Sequence, residues 1–238
     1  MKIKFCSHYE DMSQSAFESI NKDLKEKVNR LFCLATGNSP TGLYKKMEDA
    51  YHKNPEYFKE LSILKLDEWG GLSLDHPDSC EAYLRNHIIK PLHISEDHFI
   101  SFKSDTRNPE SECERIQNEL TEKGPIDICV LGLGKNGHIG FNEPAESLTM
   151  NCHVGQLSKT SMQHQMTSGM KTKPQFGLTL GMADILQSKK IILLITGSGK
   201  ESVIEKLLSK KITTHLPASF LWLHPNVECY IDSKCLGD

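Results

Sequence analysis

A chain of 238 residues with 38% hydrophobic content is long enough to bury a full core as one α/β domain. Its formal net charge of −3 offers no general basic field, which argues against nucleic acid or an anionic membrane surface as a partner. No apolar run approaches the roughly 20 residues that span a bilayer, and the start Met1-Lys-Ile-Lys-Phe-Cys-Ser-His8 lacks the apolar core of a secretory signal. A cytoplasmic protein that handles a small molecule is the expectation. The 8 cysteines are scattered with no Cys-x-x-Cys pair, and the 11 histidines show no His-Glu-x-x-His spacing. Reduced core thiols are expected, and no metal centre.

A first helix is read from apolar positions Phe17, Ile20, Leu24 and Val28. The run Leu31-Phe-Cys-Leu-Ala-Thr36 reads as a strand that stops at Gly37-Asn-Ser-Pro-Thr-Gly42, and a helix follows with Leu43, Met47 and Tyr51 on one face. The pattern recurs at Leu61–Leu66 before Asp67-Glu-Trp69, at Ile126–Leu133, and at Ile191–Ile195 before Thr196-Gly-Ser-Gly-Lys200. A last short strand is expected at Val227–Ile231. Strands alternating with helices imply a mostly parallel central sheet with right-handed crossovers. Every unusual polar cluster then falls at a strand's carboxyl end, the edge where open α/β sheets bind ligands. The stretch 158–175 breaks the alternation, being poor in branched apolar residues and rich in hydroxyls, amides and lysine. It suits a lid within 145–176 or a merely solvated connection. No repeat or interdomain linker interrupts the single domain, 1–238.

The chemistry is concentrated in four of these strand ends. Thr36-Gly-Asn-Ser-Pro-Thr41 places hydroxyls and unhindered backbone N–H groups where a helix begins, a seat for phosphate. Thr196-Gly-Ser-Gly-Lys200 adds a second anion-friendly turn with a lysine, but it lacks the first glycine of a Walker A motif and has Glu201 in the magnesium-holding position. Asp67 and Glu68 follow a buried strand and point in opposite directions, so one of them can face the crevice, as a base or as a cap of the next turn. In Leu131-Gly-Leu-Gly-Lys-Asn-Gly-His-Ile-Gly-Phe-Asn-Glu-Pro144, His138 leaves a strand end among Asn136, Asn142 and Glu143, and Glu143 is near enough to hold one imidazole tautomer. Gly132-x-Gly134-x-x-Gly137 also matches the dinucleotide fingerprint, yet Pro144 leaves no room for its helix and no acidic ribose ligand follows. No nicotinamide cofactor is expected. A phosphate seat, a carboxylate and a histidine suit proton shuttling on a phosphosugar, with ring opening assigned to His138 and proton transfer between C2 and C1 to Asp67.

Three strings carry a family resemblance: Leu34-Ala-Thr-Gly-Asn-Ser-Pro-Thr-Gly-Leu-Tyr44, Leu66-Asp-Glu-Trp69 with His76-Pro77, and Gly134-Lys-Asn-Gly-His-Ile-Gly-Phe-Asn-Glu-Pro144. The chain resembles the amino-sugar-phosphate deaminase/isomerases of the glucosamine-6-phosphate deaminase family, from about residue 30 to residue 230. Lys65-Leu-Asp-Glu-Trp69, Cys152-His153 with Gln156-Leu157, and Pro217-Ala-Ser-Phe-Leu-Trp-Leu-His224 incline it to the galactosamine-6-phosphate type. The resemblance implies a Rossmann-like three-layer α/β/α sandwich that works without metal or cofactor. It implies that galactosamine 6-phosphate is opened, isomerised and hydrolysed to tagatose 6-phosphate and ammonia. It makes Asp67 the base, His138 the ring opener, Glu143 its orienting partner, and Asn136 the stand-in for an aspartate of some relatives. Thr36, Gly37, Asn38, Ser39, Glu68, Gly137 and Lys200 become the substrate and phosphate contacts, and His164 falls near a lid arginine of the glucosamine enzymes. The rivals are the glucosamine epimer, a 6-phosphogluconolactonase, and a phosphosugar sensor. Ile139-Gly-Phe-Asn-Glu-Pro144 speaks against the lactonase, whose corresponding motif runs Thr-Ala-Ser-Leu-Phe-Pro. About 30 residues before the first expected strand, without a basic recognition helix, leave little room for a sensor's DNA-binding module. The oligomeric state stays open, a homo-oligomer among the options.

Overall fold

The computed structural model describes residues 1–26, 29–73, 75–158, 170 and 173–236. Among these residues, ten strands form two sheets. The first six strands are β1 (Lys2–Cys6), β2 (Arg30–Leu34), β3 (Leu61–Lys65), β4 (Asp67–Gly70), β5 (Phe99–Ile100) and β6 (Ile128–Gly132). The remaining four are β7 (His153–Gly155), β8 (Phe176–Thr179), β9 (Lys190–Ile195) and β10 (Val227–Asp232). Among the described residues the helices are α1 (Tyr9–Glu26), α2 (Asn38–Lys53), α3 (Cys80–Leu84), α4 (Pro109–Lys123), α5 (Met182–Leu186) and α6 (Glu201–Leu208), with short 3-10 turns and one π-helical segment, Arg85–Ile89, between.

The main sheet is 7-stranded in the order β1-β10-β9-β6-β2-β3-β5, and all its pairings are parallel. Its strands are apolar without alternation because both faces are covered. Phe32 and Leu34 pack with Met12, Ile20, Leu43 and Met47 of α1 and α2. Leu31 and Cys33 pack instead with Ile116, Ile185, Val203 and Leu207 of α4, α5 and α6. Ile192 and Leu194 join the first layer, Ile191, Leu193 and Ile195 the second. The result is the expected three-layer sandwich.

The order also locates a ligand site. From β2 the chain proceeds outward to β3 and β5, whereas from β6, on the other side of β2, it proceeds to β9 and β10. The carboxyl ends of β2 and β6 therefore flank a topological switch point, where departing connections diverge and leave a crevice.

Several elements depart from the sequence expectation. The first strand is β1 and not the run at Leu31; its exposed edge position leaves only Cys6 fully buried, so it carries no apolar signature. The strand expected over Ile126–Leu133 is shorter, because the Asp127 carboxylate turns to accept a hydrogen bond from Leu31 N at 2.9 Å. A second sheet, 3-stranded in the order β4-β8-β7, is antiparallel. It takes Asp67–Gly70 straight out of the main sheet and recruits β7 from within the segment read as a lid. Val28, His164 and the stretch 159–169 at the centre of that segment lie outside the described residues. Among the described residues, no helix is long and apolar enough to cross a membrane.

Candidate active site

A cavity of about 870 Å³ opens at the switch point. Its wall takes Ala35–Ser39 from the end of β2, Leu66 and Asp67 from the end of β3, Gly132–Lys135 and His138 from β6, and Thr196–Ser198 with Lys200 from β9. Of the residues singled out from sequence, Thr36, Gly37, Asn38, Ser39, Asp67, His138 and Lys200 meet on this wall. Glu68, Asn136, Gly137 and Glu143 stand behind it.

Asp67 opens β4 and is 8% exposed. Burial raises its pKa to about 7, aided by the charge of Glu68 and opposed by His138, Lys65 and the Cys80 thiol. That thiol donates to Oδ1 at 3.8 Å and receives a hydrogen bond from Thr36 Oγ1 at 3.5 Å. The other carboxylate oxygen, Oδ2, lies 3.5 Å from where a Cβ on Gly140 would sit. Gly140 has φ +57, and a Cβ there would come within 2.7 Å of Thr179 Oγ1, so both conformation and space ask for glycine. Trp69 and Phe141, ring centroids 4.5 Å apart, give the cavity an apolar side next to this carboxylate.

Glu68 corrects the expectation that it contacts substrate. It is fully buried, and its carboxylate accepts from Trp69 N, Cys80 N and Glu81 N at 2.8, 2.9 and 2.8 Å. The buried Lys65 ammonium bridges Glu68 and Glu81. One ammonium and two carboxylates are thereby held beneath the site, binding β3 and β4 to the start of α3.

His138 sits on a tight loop. Glu143 Oε2 lies 3.4 Å from Nδ1 and accepts from Asn136 Nδ2 at 2.8 Å, while Asn136 Oδ1 accepts from His138 N at 3.2 Å. Asparagine uses both ends of its amide here, donating to one partner and accepting from the other, which a carboxylate could not do. Gly134 explains the deceptive glycine pattern, since a Cβ there would come within 2.5 Å of both ring nitrogens of His138. The glycine makes room for an imidazole and not for a pyrophosphate. Gly137, φ +90, turns the loop against Leu216 and does not reach the cavity.

The seat at the start of α2 is built by tyrosines that sequence reasoning missed. Tyr83 donates to Gly37 O at 2.8 Å, and Tyr9 donates to Asn38 O at 2.8 Å and accepts from Gly42 N at 2.6 Å. They satisfy backbone groups of the turn, and Tyr9 also lines the cavity. The cap residue Gly37 has no side chain to cover the start of this 16-residue helix, whose first residues Asn38 and Ser39 lie on the cavity wall. Across the cavity, burial together with the neighbouring charge of Lys135 lowers the Lys200 pKa to about 8, against the opposing effect of Cys235. Lys135 was also missed; its only sequence signal is its place between two glycines of the His138 loop.

A doubly covered parallel sheet that gathers a buried carboxylate, an imidazole and a lysine at its switch point defines an α/β enzyme of small-molecule chemistry. The chain belongs to the glucosamine-6-phosphate isomerase/6-phosphogluconolactonase family, whose sequence pattern matches residues 7–230. It is 43% identical over 226 residues to "Putative deaminase AgaI" of Escherichia coli (strain K12), covering 95% of this chain and 90% of that protein. It is 34% identical over 236 residues to the glucosamine-6-phosphate deaminase of Thermoanaerobacter pseudethanolicus, covering 98% and 93%. Among solved structures, a monomeric glucosamine-6-phosphate deaminase superposes with TM-score 0.91 at 34% identity, covering 98% of this chain and 97% of that one. The 6-phosphogluconolactonase of Leishmania guyanensis, at 21% identity and TM-score 0.79 over 100% and 97% of the two chains, shares the fold.

Proposed function

We propose that the protein is a metal-independent deaminase/isomerase of hexosamine 6-phosphates, with galactosamine 6-phosphate as its substrate. One observation carries this reading: a buried Asp67 and a carboxylate-backed His138 face one cavity whose far side is a cationic, glycine-rich turn. In the proposed reaction His138 passes a proton between the anomeric hydroxyl and the ring oxygen and opens the pyranose. Asp67 takes the proton from C2 and delivers it to C1, moving the double bond so that C2 becomes an imine. Water adds to that imine, ammonia leaves, and tagatose 6-phosphate remains. The helix start at Gly37–Ser39 and Lys200 receive the 6-phosphate.

A raised carboxylate pKa suits this role, because a base near neutrality returns its proton as readily as it takes it. The galacto assignment draws on the strings shared with that type, while the 43% identity to "Putative deaminase AgaI" and 34% to a glucosamine-6-phosphate deaminase support the deamination itself. The test is ammonia release by chelator-treated protein from galactosamine 6-phosphate and glucosamine 6-phosphate in parallel. Faster release from the galacto epimer is expected. Preference for the gluco epimer moves the substrate, and ammonia from neither refutes the reading.

A further inference from the structure

We propose that Lys135 is a second phosphate-binding cation, clamping the substrate's phosphate dianion together with Lys200. This rests on the phosphosugar reading and adds to it a residue and a charge count. Lys135 and Lys200 both line the cavity, arriving on different strand ends: Lys135 after β6 and Lys200 after β9. They meet at the glycine turn between them, where Lys135 Nζ lies 3.5 Å from the position of a Cβ on Gly199.

Neither ammonium has a carboxylate within ion-pair distance among the described residues. Elsewhere the buried lysine of this chain is answered by acid, as Lys65 is by Glu68 and Glu81. Two neighbouring cations without a carboxylate partner among the described residues repel one another, and burial worsens the cost for Lys200. A group carrying two negative charges removes that repulsion and neutralises both. A phosphate monoester near neutral pH is such a group, with a second pKa near 6. A carboxylate, with one charge, would leave one lysine unanswered. The Ser198 hydroxyl and the backbone of Gly197 and Ser198, on the same wall, complete a polar rim for its oxygens. The short stem between Gly134 and Asn136 also ties this cation to the loop that carries His138, so phosphate binding and imidazole placement share one segment.

The test measures binding of inorganic phosphate by calorimetry or phosphorus NMR at pH 7.5, which reads the clamp whether or not the chain deaminates anything. Wild type, Lys135→Met, Lys200→Met and Lys211→Met are compared. Lys211 is exposed and outside the cavity, so its variant controls for loss of general positive charge. The expected result is weakening by roughly tenfold or more for each of the two cavity variants, the scale of one charged hydrogen bond, and none for Lys211→Met. With galactosamine 6-phosphate, Lys135→Met should raise KM by a similar factor and leave kcat within a few-fold. Equal phosphate affinity in Lys135→Met and wild type, an equal loss in Lys211→Met, or no phosphate binding by wild type at millimolar concentration would each overturn the clamp. Intact phosphate binding without ammonia release would instead keep the clamp and remove the deaminase.

Discussion

Asp67 is placed where its protonation has two opposite consequences. Its folded pKa of about 7 exceeds the ordinary 3.8, so between those values the folded chain keeps a proton that the unfolded chain releases. The contribution of this group to stability therefore falls as pH rises through that window, while its competence as a base rises. Two outcomes follow. The kcat/KM profile should climb through about pH 7, and Asp67→Asn should gain melting temperature over wild type at pH 8 but not at pH 4. Cys80 offers a finer control. Its thiol is a weak donor to Oδ1 of Asp67. Cys80→Ser supplies a stronger donor and should move the acid limb of the profile down; Cys80→Ala removes the donor and should move it up. An unshifted limb in both variants would show that the thiol merely fills space. Gly134→Ala tests the histidine in the same way, because the backbone there is ordinary and only the imidazole stands in the way of the new methyl. Turnover should fall by roughly a hundredfold, as expected when a reacting group is displaced by an ångström, with unfolding little changed.

Asp67 and His138 were readable from sequence because each follows a strand whose apolar run announces its end. Glu68 was not. Alternation along the chain says that one of two neighbours faces the crevice, but the Lys65–Glu68–Glu81 network that claims the other is assembled from β3, β4 and α3. At the scale of elements this network is the hinge pin of the site. Lys65→Met strands the fully buried Glu68 without its counter-ion, a change that typically costs about 3–5 kcal/mol, and chemical denaturation should register it. The same limit applies to whole elements. The main-sheet strands β2, β6 and β9 read clearly because burial on both faces leaves β2 and β9 no polar position beyond their first residues, Arg30 and Lys190, and β6 none. The edge strand β1 and the two-residue β5 lack that signature. The antiparallel set β4, β8 and β7 is joined to the end of β3 by pairing β4 with β8 across a long stretch of chain, as in Asp67 with Thr179, which no local pattern reveals.

For the molecule as a whole, the arrangement of strands explains why short motifs scattered from Thr36 to Lys200 act on one volume. Parallel strands bring all their carboxyl ends to one edge, and the switch between β2 and β6 parts the loops there. The fold class could thus be read from alternation alone, and the position of the cavity from the polar strand ends. The tyrosine braces behind α2 and the cationic partner Lys135 emerged only with the three-dimensional structure. The central claim is that Asp67 moves the C2 proton of a bound amino-sugar phosphate. It is tested most directly by measuring ammonia release and sugar-phosphate binding of Asp67→Asn with galactosamine 6-phosphate at pH 8. The account predicts turnover lower by on the order of 10²–10⁴, the worth of a positioned general base, with affinity retained within a few-fold. Turnover near the wild-type rate, or affinity lost together with activity, would contradict it.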